Sequence, residues 1–227
     1  MAAEIGTLGA LLDPHGLAVG GGFHPAADDG VPLLPDGRTA ETLYLVANLG
    51  GAMWPAFSRS REFADGARHP LDRWTGRVLR AVAQEAGAAA LFPFGGPPWL
   101  PFQRWAMRGG TVASSPLGIL IHPEYGLWHA YRGAIAFDRR LPLPEPNPSP
   151  RPCDSCTARP CLSACPVEAF KLEGYDVAGC RNHVGGKAGA LCRGGGCLAR
   201  LACPVGRQHA YPTAQMAFHM QAFLAGR

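Results

Sequence analysis

The apolar positions of this chain change period several times, and each change marks an element. Thr42-Leu-Tyr-Leu-Val-Ala-Asn48 is a continuous apolar run of strand length and predicts a buried strand. From Pro70 to Ala86 the pattern switches. Leu71, Trp74, Val78, Leu79 and Val82 recur at three- and four-residue steps, as on one face of a helix. Proline suits the first turn, so His69-Pro-Leu-Asp72 reads as the opening of that helix. Ala88 to Phe92 predicts a short strand. Leu117 to His122 and Leu127 to Phe137 predict two strands joined by the turn Pro123-Glu-Tyr-Gly126. Short helices are expected over Pro166 to Lys171 and Ala178 to Ala190, and a C-terminal helix over Ala214 to Leu224. Gly20-Gly-Gly22 lacks the strand–GxGxxG–helix context of a phosphate site and reads as a turn. The mixture predicts an α+β layer structure.

The segment Leu141-Pro-Leu-Pro-Glu-Pro-Asn-Pro-Ser-Pro-Arg-Pro152 excludes helix and favours an extended, semi-rigid connector. It divides an α+β part, residues 1–140, from a cysteine-bearing part, residues 153–227. The connector itself is 141–152.

Composition narrows the class. A chain of 227 residues can bury a core, and 47% apolar against 17% charged residues describes a globular protein with a sparsely charged surface. Thirty glycines and 22 prolines demand much turn and loop. The first residues carry Glu4 and Asp13 and no basic stretch ahead of their short apolar run, so they do not read as a secretory signal. No apolar run reaches membrane-spanning length. A cytoplasmic protein with no membrane partner is expected. In a reducing compartment, clustered cysteines point to metal rather than disulfides.

All eight cysteines follow the connector. They form Cys153-x2-Cys156-x4-Cys161-x3-Cys165-Pro166 and Cys180-x11-Cys192-x4-Cys197-x5-Cys203-Pro204. Two cubane clusters need eight thiolates, and runs ending in Cys-Pro mark two-cluster ferredoxins, where the last cysteine of each run ligates the other cluster. Applied here, that logic joins Cys153, Cys156 and Cys161 to Cys203 on one [4Fe–4S] cluster. It joins Cys180, Cys192 and Cys197 to Cys165 on the second. The gaps are longer than in the simplest bacterial pattern. Arg193-Gly-Gly-Gly196 supplies residues that permit tight turns and close N–H···S approach. Zinc usually takes paired C-x2-C knuckles. Only Cys153 and Cys156 form such a pair, so zinc, a single cluster and buried core cysteines are the competing readings.

Charge agrees with the cluster reading. Residues 1–150 carry 12 basic and 13 acidic side chains, whereas residues 151–227 carry 9 basic and 4 acidic, a surplus of five. A basic tail would suit nucleic acid. Two [4Fe–4S]²⁺ cores with their thiolates would add about −4 and nearly cancel the surplus, so nucleic acid is not expected as a partner.

The order of these cysteines resembles the dicluster domain of epoxyqueuosine reductase and its cobalamin-dependent relatives, in which an isolated cysteine also precedes a second run ending in Cys-Pro; Cys180 takes that position. The stretch from Arg108 through Gly109-Gly110 to Leu117-Gly-Ile-Leu-Ile-His122 and Trp128 is similar to that family's Gly-rich segment, apolar strand and aromatic hairpin. The resemblance covers 153–204 and, more loosely, about 70–140. It implies a nitroreductase-like α+β domain that holds cobalamin, followed by a ferredoxin-like domain with two [4Fe–4S] clusters. The family's acidic proton donor precedes the Gly-rich segment. Here the corresponding stretch, Leu91 to Phe102, contains no carboxylate, so an altered substrate is implied, with cobalamin, a flavin or no second cofactor all open.

Two further groups could serve a cofactor. His122, Glu124, Tyr125, Trp128, His129, Tyr131 and Arg132 crowd the expected hairpin. Strand alternation would place Trp128 and Ala130 on one side, with His129 and Tyr131 on the other. His129, Tyr131 and Tyr125 are the candidate proton donors. Phe94 and Trp99, within the rigid Phe92–Trp99 loop, together with His122, Trp128 and Arg132, are the candidate cofactor-binding residues. Ordinary core packing is the competing reading for both groups. The functional expectation is a redox protein passing electrons through two clusters to a site on its first part, where a small-molecule substrate could be reduced. The alternatives are a ferredoxin-like carrier for an electron donor or acceptor protein, and clusters that serve structure alone.

Overall fold

The computed structural model describes residues 3–145 and 150–226. The middle of the proline connector, whose extended form the sequence predicts, lies outside them. In chain order the first elements are α1 (Ala3–Leu12), β1 (Ala18–Phe23), β2 (Thr42–Leu49), α2 (Trp54–Ser58), α3 (Arg61–Ala64), α4 (Pro70–Glu85), β3 (Ala89–Leu91) and α5 (Phe102–Gly109). Next come β4 (Ala113–Ser114), β5 (Leu120–Ile121), β6 (His129–Phe137), α6 (Pro160–Ser163), β7 (Phe170–Lys171) and β8 (Gly174–Tyr175). Four helices end the chain: α7 (Val177–Gly185), α8 (Ala190–Gly195), α9 (Leu198–Leu201) and α10 (Thr213–Leu224). The structure is mixed α/β. It divides into two compact units, Met1–Thr111 with Ala130–Pro148, and Val112–His129 with Ser149–Arg227.

The first unit is built on a four-stranded sheet of order β1-β2-β6-β3. Interior strands lose water on both faces, which is why β2 is a continuous apolar run, buried from Thr42 to Asn48. In β6 the buried stretch runs from Gly133 to Phe137. Against this sheet α4 lays the stripe expected from its period. Leu71, Trp74, Val78, Leu79 and Val82 are all buried, each worth about 1.5–3 kcal/mol of transfer free energy. Leu79 seats over Gly133, where a Cβ would come within 2.5 Å of its Cδ1. The start of the connector is tied into this unit: the Thr42 hydroxyl receives the Leu141 N–H at 2.8 Å, and the Tyr44 hydroxyl donates to the Pro142 carbonyl.

Four expectations fail for identifiable reasons. Leu117–His122 and Leu127–Phe137 do not pair as one hairpin. β5 pairs with β4, and β6 enters the main sheet beside β2 and β3; only the isolated bridge His122–Gly126 spans the turn. The apolar Leu117, Ile121 and Leu127 are instead claimed by the core around the cysteines. Pro166–Lys171 is not a helix: Glu168 takes a left-handed φ of 47°, the Ala169 N–H turns to the Cys165 sulfur, and Phe170–Lys171 pairs with β8. Ala178–Ala190 is broken after Gly185, where Gly186 adopts extended backbone, and α8 starts afresh at Ala190. Gly20–Gly22 is strand rather than turn. It carries a bulge in β1, and Gly21 at φ 130° passes so close to Gly109 that a Cβ would lie 2.2 Å from its carbonyl oxygen.

One ion pair makes the first unit acid-sensitive. Glu62, 5% exposed, accepts from Arg77 Nε at 2.6 Å and Nη2 at 2.9 Å. The Arg77 hydrogen bonds hold its carboxyl near pKa 2, below the ordinary 4.5. A carboxylate depressed on folding stabilises fully above its unfolded pKa and loses that contribution as pH falls toward the folded value. Stability should therefore drop between about pH 5 and pH 2. Glu62→Gln should remove about 1–2 kcal/mol of that dependence, after discounting for the exposure of Arg77. Urea denaturation of both proteins at pH 7 and pH 3 checks this; parallel losses on acidification would contradict it.

Candidate metal centre

The second unit is organised around its thiols. All eight cysteines are free of disulfides. Cys153 and Cys156 lie in the turn before α6, and Cys161 lies in α6. Arg159 stands at φ 39° as its N-cap and bends the chain so that Cys161 returns toward the first two. Cys203 follows α9. Cys153, Cys156, Cys161 and Cys203 line one apolar cavity, closed by Pro116, Ile121, Pro152, Pro160, Pro204 and Val205. Burial pushes the Cys153 thiol up, and its neighbours Cys203, Cys161 and Cys156 add to the shift.

The other four thiols form a second neighbourhood. Cys165 follows α6, Cys180 is on α7, Cys192 is on α8, and Cys197 is the N-cap of α9. Burial raises Cys180, with Cys165 and Cys192 acting on it; burial raises Cys197, with Cys180 and Cys192 acting on it. Hydrogen bonds aim at these sulfurs. The buried Ala169 N–H donates to Cys165 Sγ at 3.3 Å. The Tyr175 hydroxyl offsets part of the rise at Cys180, and the backbone N–H groups of Arg200 and Ala199 offset part of that at Cys197. His183 Nε2 lies 3.8 Å from Cys192 Sγ. Gln215 on α10 is fully buried, and neither of its amide atoms has a partner among the described residues.

Among the described residues, no three His, Cys, Asp or Glu side chains converge as ligands of a single ion. The donor set nevertheless fits iron–sulfur clusters: eight soft thiolates in two sets of four, apolar walls, and backbone N–H groups pointed at sulfur.

The segment 122–129 belongs to this unit. His122 Nδ1 accepts the backbone N–H of Glu124 at 3.1 Å and of Tyr125 at 3.2 Å. His129 bonds the Gly126 carbonyl through Nδ1 at 3.2 Å, and burial, His122 and Arg200 lower its pKa to about 4, so it is neutral at pH 7. Tyr125 packs against His209 with ring centroids 4.3 Å apart and planes tilted by 38°. Trp128 is buried against Tyr211 and Arg200. Tyr131, Arg132, Phe94 and Trp99 belong to the first unit. The Tyr131 hydroxyl donates to the Gly20 carbonyl at 3.3 Å, Phe94 stacks on Phe92, and Trp99 is 66% exposed. Trp128 and His129 are both buried, Trp128 just ahead of the strand that His129 opens.

No family model matches the chain. The epoxyqueuosine reductase of Vibrio cholerae is 28% identical to it over 104 residues, which is 45% of this chain but only 27% of that enzyme. The C. elegans B12-trafficking protein CblC has a similar fold: TM-score 0.54 at 13% identity, over 97% of this chain and 92% of that one. An epoxyqueuosine reductase solved with a modified tRNA stem loop aligns over 83% of this chain and 55% of its own, at 19% identity and TM-score 0.47. The chain thus has a weak sequence relationship to epoxyqueuosine reductase and the fold of a CblC-like protein.

Sequence reasoning passed over Arg200, Tyr175, Tyr211 and Gln215. Spacing alone offered one signal: Arg200 stands between Cys197 and Cys203, on one of the short links between the two thiol sets.

Proposed function

We propose that this protein is an iron–sulfur reductase. Cys153, Cys156, Cys161 and Cys203 hold one [4Fe–4S] cluster, and Cys165, Cys180, Cys192 and Cys197 hold the other. The observation that carries the reading is the gathering of the first four thiols around one cavity, three from the first run and the last from the second. When bound, such clusters supply one-electron chemistry.

The chain's own contribution is threefold. Pro116, Ile121 and Val205 give the first thiol set an apolar wall. N–H groups of Ala169, Ala199 and Arg200 stabilise thiolate charge at Cys165 and Cys197. Tyr175, a residue about 40% exposed, does the same at Cys180 through its hydroxyl. A low-potential redox protein would supply electrons one at a time, and a site on the unit formed by 1–111 and 130–148 would receive them. The relationship to epoxyqueuosine reductase favours a reductase, and the fold shared with a B12-trafficking protein makes a corrinoid the first acceptor to test, ahead of a flavin. The carboxylate-free Leu91–Phe102 stretch argues for a substrate other than that reductase's. Tyr125 or Tyr131 would supply protons, because His129 is neutral at pH 7 and has no acidic proton to give. Burial raises both tyrosines, so they stay protonated at pH 7.

The carrier reading has one observation of its own. Leu172, Tyr175, Val177 and Leu191 are apolar and exposed in the cysteine-bearing unit, as a surface that meets a partner protein would be.

Protein prepared without oxygen should contain about eight iron and eight sulfide per chain. Titration of the reduced protein with cobalamins and flavins, followed by absorbance, then tests the acceptor. Stoichiometric zinc without iron would remove the cluster reading. Full iron with no corrinoid or flavin binding would leave the carrier.

A further inference from the structure

We infer that His183 is a positioning residue: its ring N–H donates to the Cys192 sulfur and raises the reduction potential of one cluster alone, the one held by Cys165, Cys180, Cys192 and Cys197. The inference rests on the cluster reading above and concerns how the two clusters differ.

His183 stands on α7 three residues after Cys180, so the two side chains share a face of that helix. Its Nε2 lies 3.8 Å from Sγ of Cys192, which is 5% exposed. The corner between α7 and α8 fixes that approach. Gly189, the N-cap of α8, packs so closely on the end of α7 that a Cβ would lie 2.0 Å from the His183 carbonyl oxygen. Arg193, next to Cys192, donates through Nη1 to the Gly186 carbonyl at 3.0 Å and also to the Val184 carbonyl. Both contacts hold the start of α8, and Cys192 with it, against α7. All of these groups lie in the second unit. Among the described hydrogen bonds, no side chain donates to the sulfur of Cys153, Cys156, Cys161 or Cys203.

A thiolate bound to iron has lost its proton and can only accept a hydrogen bond. The imidazole must then present N–H at Nε2, which settles its tautomer. Such a bond strengthens as negative charge at the sulfur grows, so it favours the reduced state. Hydrogen bonds to sulfur are among the factors that set cluster potentials. This one reaches a single sulfur of a single set, so the two clusters become unequal.

His183→Leu keeps a side chain of comparable bulk and removes the donor. One reductive wave should move to lower potential by about threefold in the reduction equilibrium, about 28 mV at 59 mV per tenfold for one electron. It should be the wave that Cys203→Ser protein retains, and the other wave should stay in place. Spectroelectrochemical titration at one fixed pH reads this, with iron per chain measured on the same samples. Reduced wild-type protein carrying ¹⁵N-labelled histidine should also show, by pulsed paramagnetic resonance, a histidine nitrogen coupled to that cluster and lost in His183→Leu. Iron-loaded His183→Leu protein with neither wave moved, or with both moved alike, overturns the inference while leaving the cluster reading intact. A shifted wave without the nitrogen coupling overturns it too, because packing would then account for the shift. If His183→Leu loses iron, the labelled wild-type protein decides: coupling in the component that Cys203→Ser retains supports the bond, and no coupling rejects it. Wild-type protein without iron overturns the cluster reading itself.

Discussion

Serine at position 203 should cut the iron content from about eight to about four per chain. Cys203 is 6% exposed and closes a cavity with three cysteines that precede it by more than forty residues. Removing its thiolate leaves Cys153, Cys156 and Cys161 without a fourth ligand, while Cys165, Cys180, Cys192 and Cys197 keep a full set. Cys165→Ser should produce the mirror image, so the two variants should differ in which spectral component survives. Iron and sulfide analysis with paramagnetic resonance of the reduced proteins separates them. If Cys203→Ser instead removed the component that Cys165→Ser also removes, each run would hold its own cluster and the crossed pairing would be wrong.

A nearly equal loss is expected from a residue with no metal-binding group at all. Gly126 has φ 56°, and a Cβ there would lie 2.0 Å from the Val205 carbonyl oxygen; Gly206, at φ 70°, would meet the Tyr125 carbonyl carbon at 2.3 Å. The two glycines let the 122–126 turn lie directly on the backbone that follows Cys203-Pro204. Gly126→Ala combines left-handed strain with a backbone clash that no rotamer relieves. It should cost about 2–4 kcal/mol and displace Cys203 enough to lower iron occupancy at that set. Thermal melting and iron content test this together. Gly37→Ala is the control: it also has positive φ, 84°, but nothing lies within 4 Å of its Cβ position. It should lose only the strain, about 1–2 kcal/mol, and keep all its iron. Equal iron loss in the two variants would remove the role assigned to the contact.

The glycine contact also shows why parts of this protein could be read from its sequence and others could not. β2 and α4 were legible because each owes its form to a local period: an unbroken apolar run for an interior strand, a three- and four-residue stripe for a helix on a sheet. The cysteines were legible as a chemical set because thiolates that close together have few other uses. Segment 117–137 was misread because its two apolar runs look alike in isolation. What separates them is the partner each one meets, the main sheet for β6 and the thiol-lined core for Leu117 and Ile121.

From the residues alone came the eight thiols, the order in which the chain presents them, and the helices and strands whose side-chain period is set by nearest neighbours. The run pattern already grouped Cys203 with Cys153, Cys156 and Cys161, which line one cavity; tertiary structure alone decided that Val112–His129 belongs with the cysteine-bearing unit and that Arg200 is clamped between Trp128 and Tyr211. The division follows from range. Period and propensity act over a few residues, so a sequence displays them directly. A backbone packed against backbone 79 residues away, as at Gly126 and Val205, is a steric fact with no local trace beyond the glycine that permits it.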